Sequence, residues 1–147
     1  MKKIFVFICL VFITISANAQ LNVNATIKEE PQKVMTLQFM YSWLYKTDNG
    51  YSIWMVTDNK FDRRYNTIFL GETIENTMAT LQDLKTIMEK EISFVEVKQY
   101  DGDLALYYVS QLGVKQLWVK QVGNAGKSWV TLGQIEKIIK YFENGVN

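Results

Sequence analysis

Few side chains in this sequence are equipped for chemistry. It has no His, and its single Cys, Cys9, stands inside an N-terminal apolar run. The commonest general base and catalytic metal ligand is therefore missing, and neither a disulfide within the chain nor a thiol pair can form. Asp101 and Asp103 flank Gly102. Two such carboxylates suggest calcium, but the remaining ligands of a calcium loop are lacking, and Asp-Gly reads more simply as a hairpin turn. Gly123-Asn124-Ala125-Gly126-Lys127-Ser128 resembles a phosphate loop only at first glance. It has two residues where the pattern needs four before Gly-Lys, and it leads into a strand. No Ser has a His partner, and no pair of acids stands out as an acid/base couple. Arg63-Arg64, flanked by Phe61 and Tyr65, could hold a carboxylate, phosphate or sulfate through its guanidinium forks. A solvated charged loop is the plainer reading of the same residues. The sequence thus names no catalytic residue, metal ligand or cofactor. It is instead rich in aromatics, with 4 Trp, 8 Tyr and 8 Phe.

The elements that must position these residues begin after residue 19. Met1-Lys2-Lys3 is a basic start, Ile4 to Ile15 is apolar apart from Thr14, and Ser16-Ala17-Asn18-Ala19 offers small residues to a signal peptidase. We expect a cleavable signal peptide over 1–19, cut between Ala19 and Gln20, and a secreted or periplasmic mature chain. The run is shorter than the roughly 20 residues of a membrane span. About 128 residues then remain, and loss of Lys2 and Lys3 takes the net charge from +1 to −1. That length suits one domain with a real core. The near-neutral balance gives no general pull toward nucleic acid or an anionic membrane.

Residues 20–33 read as an arm or an edge strand through Leu21, Val23, Ala25 and Ile27, ended by Pro31. Residues 34–147 read as a single α+β domain made of two repeats, 34–90 and 91–147. Val34 to Lys46 alternates, with Met35, Leu37, Phe39, Tyr41, Trp43 and Tyr45 on one side, and predicts one long strand. Asn49-Gly50 predicts a type I′ turn that sets Tyr45 opposite Trp54 and Trp43 opposite Val56. A charged loop, Asp58 to Asn66, and a short strand, Thr67 to Leu70, lead to a helix capped by Thr73. Ile74, Met78, Leu81, Leu84 and Met88 form its apolar stripe. In the second repeat, two-residue turns at Asp101-Gly102 and Leu112-Gly113 place Val95, Val97, Leu104, Leu106, Tyr108, Leu117 and Val119 on one face. Thr131 and Gln134 fit a capping box for the last helix, with Ile135, Ile138, Ile139 and Phe142 at i, i+3, i+4, i+7 and Asn144-Gly145 as the stop.

Both repeats carry a strand, then Leu-Gly, then a helix: Thr67-Ile68-Phe69-Leu70-Gly71 and Trp129-Val130-Thr131-Leu132-Gly133. The sum is two ββββα units, antiparallel meanders with the two helices packed on one face. Matching Trp54 with Trp118 leaves Tyr41, Trp43, Tyr45, Trp54, Tyr107 and Trp118 on the face away from the helices. That face is either a second core, covered by the arm, the other unit or a second copy, or a binding surface. The binding residues expected on the second view are Trp43, Tyr45, Trp54, Tyr107 and Trp118, rimmed by Arg63 and Arg64. The ligand would be a glycan, a peptide or a protein, with homodimerisation as another use of the same face.

This strand order and helix placement resembles that of the Whirly and PUR families, whose ββββα units bind single-stranded nucleic acid on a curved sheet. The resemblance implies a nucleic-acid-binding alternative, against which the expected export and the charge of −1 both argue. A small hydrolase using carboxylates alone ranks last.

Overall fold

The computed structural model describes residues 30–61, 64–100 and 102–145. The expected signal peptide, the alternation from Leu21 to Ile27, Arg63 and Asp101 lie outside the described residues. The chain forms two four-stranded antiparallel meanders, each followed by a helix. The first holds β1 (Gln32–Gln38), β2 (Ser42–Thr47), β3 (Gly50–Val56) and β4 (Tyr65–Gly71), then α1 (Ile74–Glu89). The second holds β5 (Phe94–Val97), β6 (Leu104–Gln111), β7 (Val114–Gln121) and β8 (Ser128–Thr131), then α2 (Leu132–Glu143). The α+β class is as expected.

One core serves both sheets. Leu44, Ile53, Met55, Ile68 and Leu70 from the first meet Leu104, Leu106, Leu117, Val119 and Val130 from the second. Leu81, Leu84 and Met88 of α1 and Ile135, Ile138, Ile139 and Phe142 of α2 fill the same cluster. The helices also cross between units. Tyr51 of β3 packs edge-on against Phe142 of α2 at 4.9 Å, Lys137 of α2 reaches Thr36 O of β1 (3.1 Å), and Lys85 and Glu136 pair across the helices at 3.4 Å.

Local chemistry explains the helix ends. Thr73 Oγ1 accepts from Asn76 N at α1, and Thr131 with Gln134 closes a full capping box at α2. Gly145, at φ 80°, provides the left-handed stop after α2. Ile74 departs from its expected stripe: it is exposed, and Thr77 is buried in the first turn instead.

Four strand expectations need correction. The run from Val34 to Lys46 is not one strand but a hairpin, reversed at Phe39-Met40-Tyr41. Alternation persisted through a turn that has none of the usual turn residues. The reversal sends Met35 and Leu37 toward the core while Trp43 and Tyr45 point away, and it completes the first four-stranded unit without any residue before Gln32. At Asn49-Gly50 the two-residue turn is Asp48-Asn49, since Thr47 pairs with Gly50. Trp43 therefore lies opposite Trp54, and Tyr45 opposite Ser52. Gly50 carries positive φ at 119°, and a Cβ there would meet Gly71 O at 2.1 Å. Close packing requires this glycine, and the turn is not type I′ because neither Asp48 nor Asn49 has positive φ. At Asp101-Gly102 the connection is longer than two residues, with Val97 opposite Leu104. Leu112-Gly113 is the true two-residue turn, with φ of 53° and 78°. Finally, the two Leu-Gly pairs differ. Leu70-Gly71 ends β4, whereas Leu132-Gly133 is already the first turn of α2.

The sheets are joined by a buried polar seam. Asn66 Nδ2 donates to Val119 O (3.0 Å), Gly126 O (3.2 Å) and Ser128 Oγ (3.0 Å). Its Oδ1 accepts from Asn124 Nδ2 (2.8 Å) and Gln121 N (3.4 Å). Asp58 N donates to Lys127 O, and Lys127 N returns a bond to Asp58 Oδ1, both 2.8 Å. Along the outer edge of β4, side-chain amides stand where a strand would. Gln99 accepts from Phe69 N (3.2 Å) and donates to Thr67 O (2.7 Å), and Gln121 accepts from Thr67 N (3.1 Å).

Candidate aromatic binding faces

The ladder register fixes which side chains share the outer faces. In the second sheet Phe94, Tyr107, Trp118 and Trp129 are direct cross-strand partners, one per strand. The matching row in the first sheet is Thr36, Trp43, Trp54 and Thr67. All four tryptophans of the chain therefore lie on outer faces. Each is half-buried, while Phe94, Tyr107 and Tyr65 are exposed. The rows are partly open to solvent, and none of their aromatic residues belongs to the buried core.

The rings contact one another. In the first sheet Tyr45 and Trp54 lie 4.7 Å apart, and Tyr65 leans on both Trp54 (5.8 Å) and Trp43 (6.3 Å). In the second, Phe94 and Tyr107 lie 5.2 Å apart, and Trp118 stacks on Trp129 at 5.6 Å with 28° between planes. The residue in register with Tyr65 is Lys127: Tyr65 pairs with Val56, one residue past the Met55–Asn66 pair, as Lys127 sits one residue before the Val119–Ser128 pair. Its ammonium lies over Tyr107 (5.9 Å) and Trp118 (5.8 Å), so one sheet seats an aromatic ring and the other a cation at the same place. Lys33 lies over Trp43 at 5.8 Å in the first sheet.

Two constraints follow for any ligand. Trp118 has Trp129 against one part of its surface and Lys127 over its ring, and its Nε1 donates to Gln116 Oε1 at 3.0 Å. Its faces and its only donor are largely engaged, and what it offers is an apolar edge. The seam with the first sheet also holds the Lys127 backbone on Asp58, so the cation is anchored rather than on a free loop. Trp129 closes the row against the first unit, lining a cavity of about 50 Å³ with Gln38, Tyr41, Val56 and Asp58.

Of the residues expected from sequence, the structure groups Trp43, Tyr45 and Trp54 on one face and Tyr107 and Trp118 on the other. Arg64 is exposed beside Tyr65. Tyr41 is exposed in the β1–β2 turn rather than in a strand. Sequence reasoning missed Phe94, Trp129, Tyr65 and Lys127. The first two would have emerged from carrying the β6–β7 register outward to β5 and β8. Among the described residues Asp103 belongs to no group of three or more possible metal ligands. Asp103 pairs with Lys98, whose pKa is raised by that hydrogen bond and then by the Asp103 charge. No known family, curated protein or solved structure matches the chain.

Proposed function

We propose that the chain is an exported binding module without catalytic chemistry, and that the outer face of its second sheet takes polypeptide ligands carrying acidic and apolar side chains. The observation that carries this reading is the row Phe94–Tyr107–Trp118–Trp129, in register across four strands with Lys127 fixed over its centre. Lys120, exposed on the same face and flanking Lys127 across the β7–β8 pair, adds a second cation. Sugars and bases use free ring faces. Here those faces are partly spent on neighbouring rings and on an ammonium, which favours side-chain contacts at ring edges with a carboxylate near the lysines. The same argument weakens the reading as a single-stranded nucleic-acid binder.

The test is an arrayed peptide library probed with the folded chain, followed by Trp fluorescence titration of the hits. Peptides pairing Asp or Glu with apolar residues should dominate. Trp118→Ala and Lys127→Ala should each weaken binding by about tenfold or more, in line with the roughly 1–2 kcal/mol carried by an interface aromatic or a charge pair. If glycans bind and peptides do not, or if gel filtration shows the row closed between two copies, the reading is wrong.

A further inference from the structure

A small cavity lies where the end of the aromatic row meets the first unit. Its volume is about 50 Å³, and Gln38, Tyr41, Met55, Asp58 and Trp129 are among its walls. One water needs about 10–15 Å³, so the space suits a group of a few heavy atoms and not a sugar ring. Met55 is 1 % exposed, whereas Tyr41 and Asp58 are open to solvent, so the cavity runs from the surface toward the core. Its walls are held from both units. Val56 N donates to Tyr41 O (2.8 Å). Asp58 and Lys127 exchange two bonds of 2.8 Å. Trp129 stands opposite Trp118 in the ladder and stacks on it at 5.6 Å. Among the described residues lining the cavity, Asp58 alone is charged. Its Oδ1 accepts from Lys127 N, and none of the ion pairs among the described residues involves it. The Lys127 ammonium lies instead over Tyr107 and Trp118. A carboxylate with one oxygen to spare therefore stands beside two aromatic side chains.

We propose that this cavity binds a primary alkylammonium head, either that of a lysine side chain or that of a small free amine. Asp58 Oδ2 accepts from the ammonium, Tyr41 and Trp129 attract the cation through their rings, and the Gln38 carbonyl oxygen accepts another N–H. The competing occupants fit less well. A guanidinium fork calls for both oxygens of a carboxylate, and Oδ1 is already taken by Lys127 N. A metal ion needs more ligands than one acid supplies, and among the described residues Asp58 belongs to no group of three or more possible ligands. A neutral apolar group would cover the Asp58 charge without compensating it. The amine site lies past the end of the second-sheet row, and its chemistry does not depend on what that row binds.

The experiment follows the tryptophan indole N–H signals by NMR while the folded chain is titrated at fixed ionic strength. The probes are methylammonium, methylguanidinium, Nα-acetyl-lysine amide and its neutral counterpart, Nα-acetyl-norleucine amide. The Trp129 signal, assigned with Trp129→Phe, should shift saturably with methylammonium and with the lysine derivative. Methylguanidinium and the norleucine derivative should bind clearly more weakly. Tighter binding of the lysine derivative than of methylammonium assigns a lysine side chain as the source, and the reverse order assigns a free amine. Asp58→Asn keeps a carbonyl oxygen for Lys127 N, so it should hold the thermal midpoint while weakening the amine about tenfold or more. Tyr41→Leu leaves the backbone bond to Val56 in place and should weaken the amine about threefold. If Asp58→Asn melts early, Tyr41→Leu decides. The proposal is overturned if no amine moves Trp129, if either control probe binds as tightly as its ammonium counterpart, or if the folded variants bind like wild type. None of these outcomes turns on whether acidic and apolar peptides bind the second-sheet row.

Discussion

Replacing Asn66 by Ala should cost this small protein a large part of its stability. Asn66 has no exposed surface, and its one amide serves five partners across the seam. Ala leaves Gly126 O and Gln121 N without the bonds seen here, while Ser128 Oγ keeps its bonds to Met55 O and Val56 O. Each buried group left without a partner costs about 1–3 kcal/mol. Two such groups, with the lost contacts around them, come to roughly 3–5 kcal/mol. A domain of this size has about 5–15 kcal/mol in all. In urea, with a slope of about 1–3 kcal/mol per molar, the midpoint should fall by about 2 M. Both sheets share one core, so the transition should stay single when followed by Trp fluorescence and by far-UV circular dichroism. A loss below about 1 kcal/mol would refute the seam as the joint between the sheets. Separate transitions for the two probes would refute the shared core.

Gly126→Ala should destabilise by about 1–3 kcal/mol through overpacking, because its Cβ would lie 2.6 Å from Thr57 Cβ; thermal melts check this. Thr131→Ala removes the α2 capping box and should cost about 1 kcal/mol in denaturant unfolding. Asp103→Asn should bring the Lys98 pKa down toward its ordinary value, followed by NMR of the lysine side chain, since the Asp103 hydrogen bond is the main cause that raises it. The sign follows from linkage. A lysine raised on folding adds stability that is whole below its unfolded pKa and fades as pH climbs through the folded one. Wild type should therefore lose this contribution only at alkaline pH, and the variant should lack it throughout.

Much of the fold was legible because the errors in register were even. Sequence placed both the Asn49-Gly50 and the Asp101-Gly102 hairpins two residues out of step in pairing sum. A slip of that parity leaves every side chain on its assigned face. Hence Trp43, Tyr45 and Trp54 were grouped rightly although each was given the wrong partner. The Phe39-Met40-Tyr41 turn was illegible because nothing in its residue types announces a turn, and unbroken alternation argued for a strand. Helix ends were read well since Thr73 and Thr131 act on neighbours three residues away. The seam could not be read at all. Asn66 and Ser128 are 62 positions apart, and Asn66 reads in sequence as the last residue of the charged loop from Asp58, where a polar side chain calls for no buried partner.

The amides along β4 bear on how the chain survives in concentrated surroundings. An exposed strand edge is a template on which further chains can add, and fibres grow that way. Here Gln99 and Gln121 occupy the N–H and C=O of Thr67 and the N–H of Phe69, so much of that template is taken up by the molecule's own side chains. The other edges are blunted by different means: the register of β1 shifts twice and the strand carries Lys33, and β5 is only four residues long. β8 is tied to the end of β3 through Ser128. A protein rich in strands and aromatics is ordinarily at risk of polymerising through its sheets, and these features oppose that at the strand edges while the aromatic faces stay partly open to solvent.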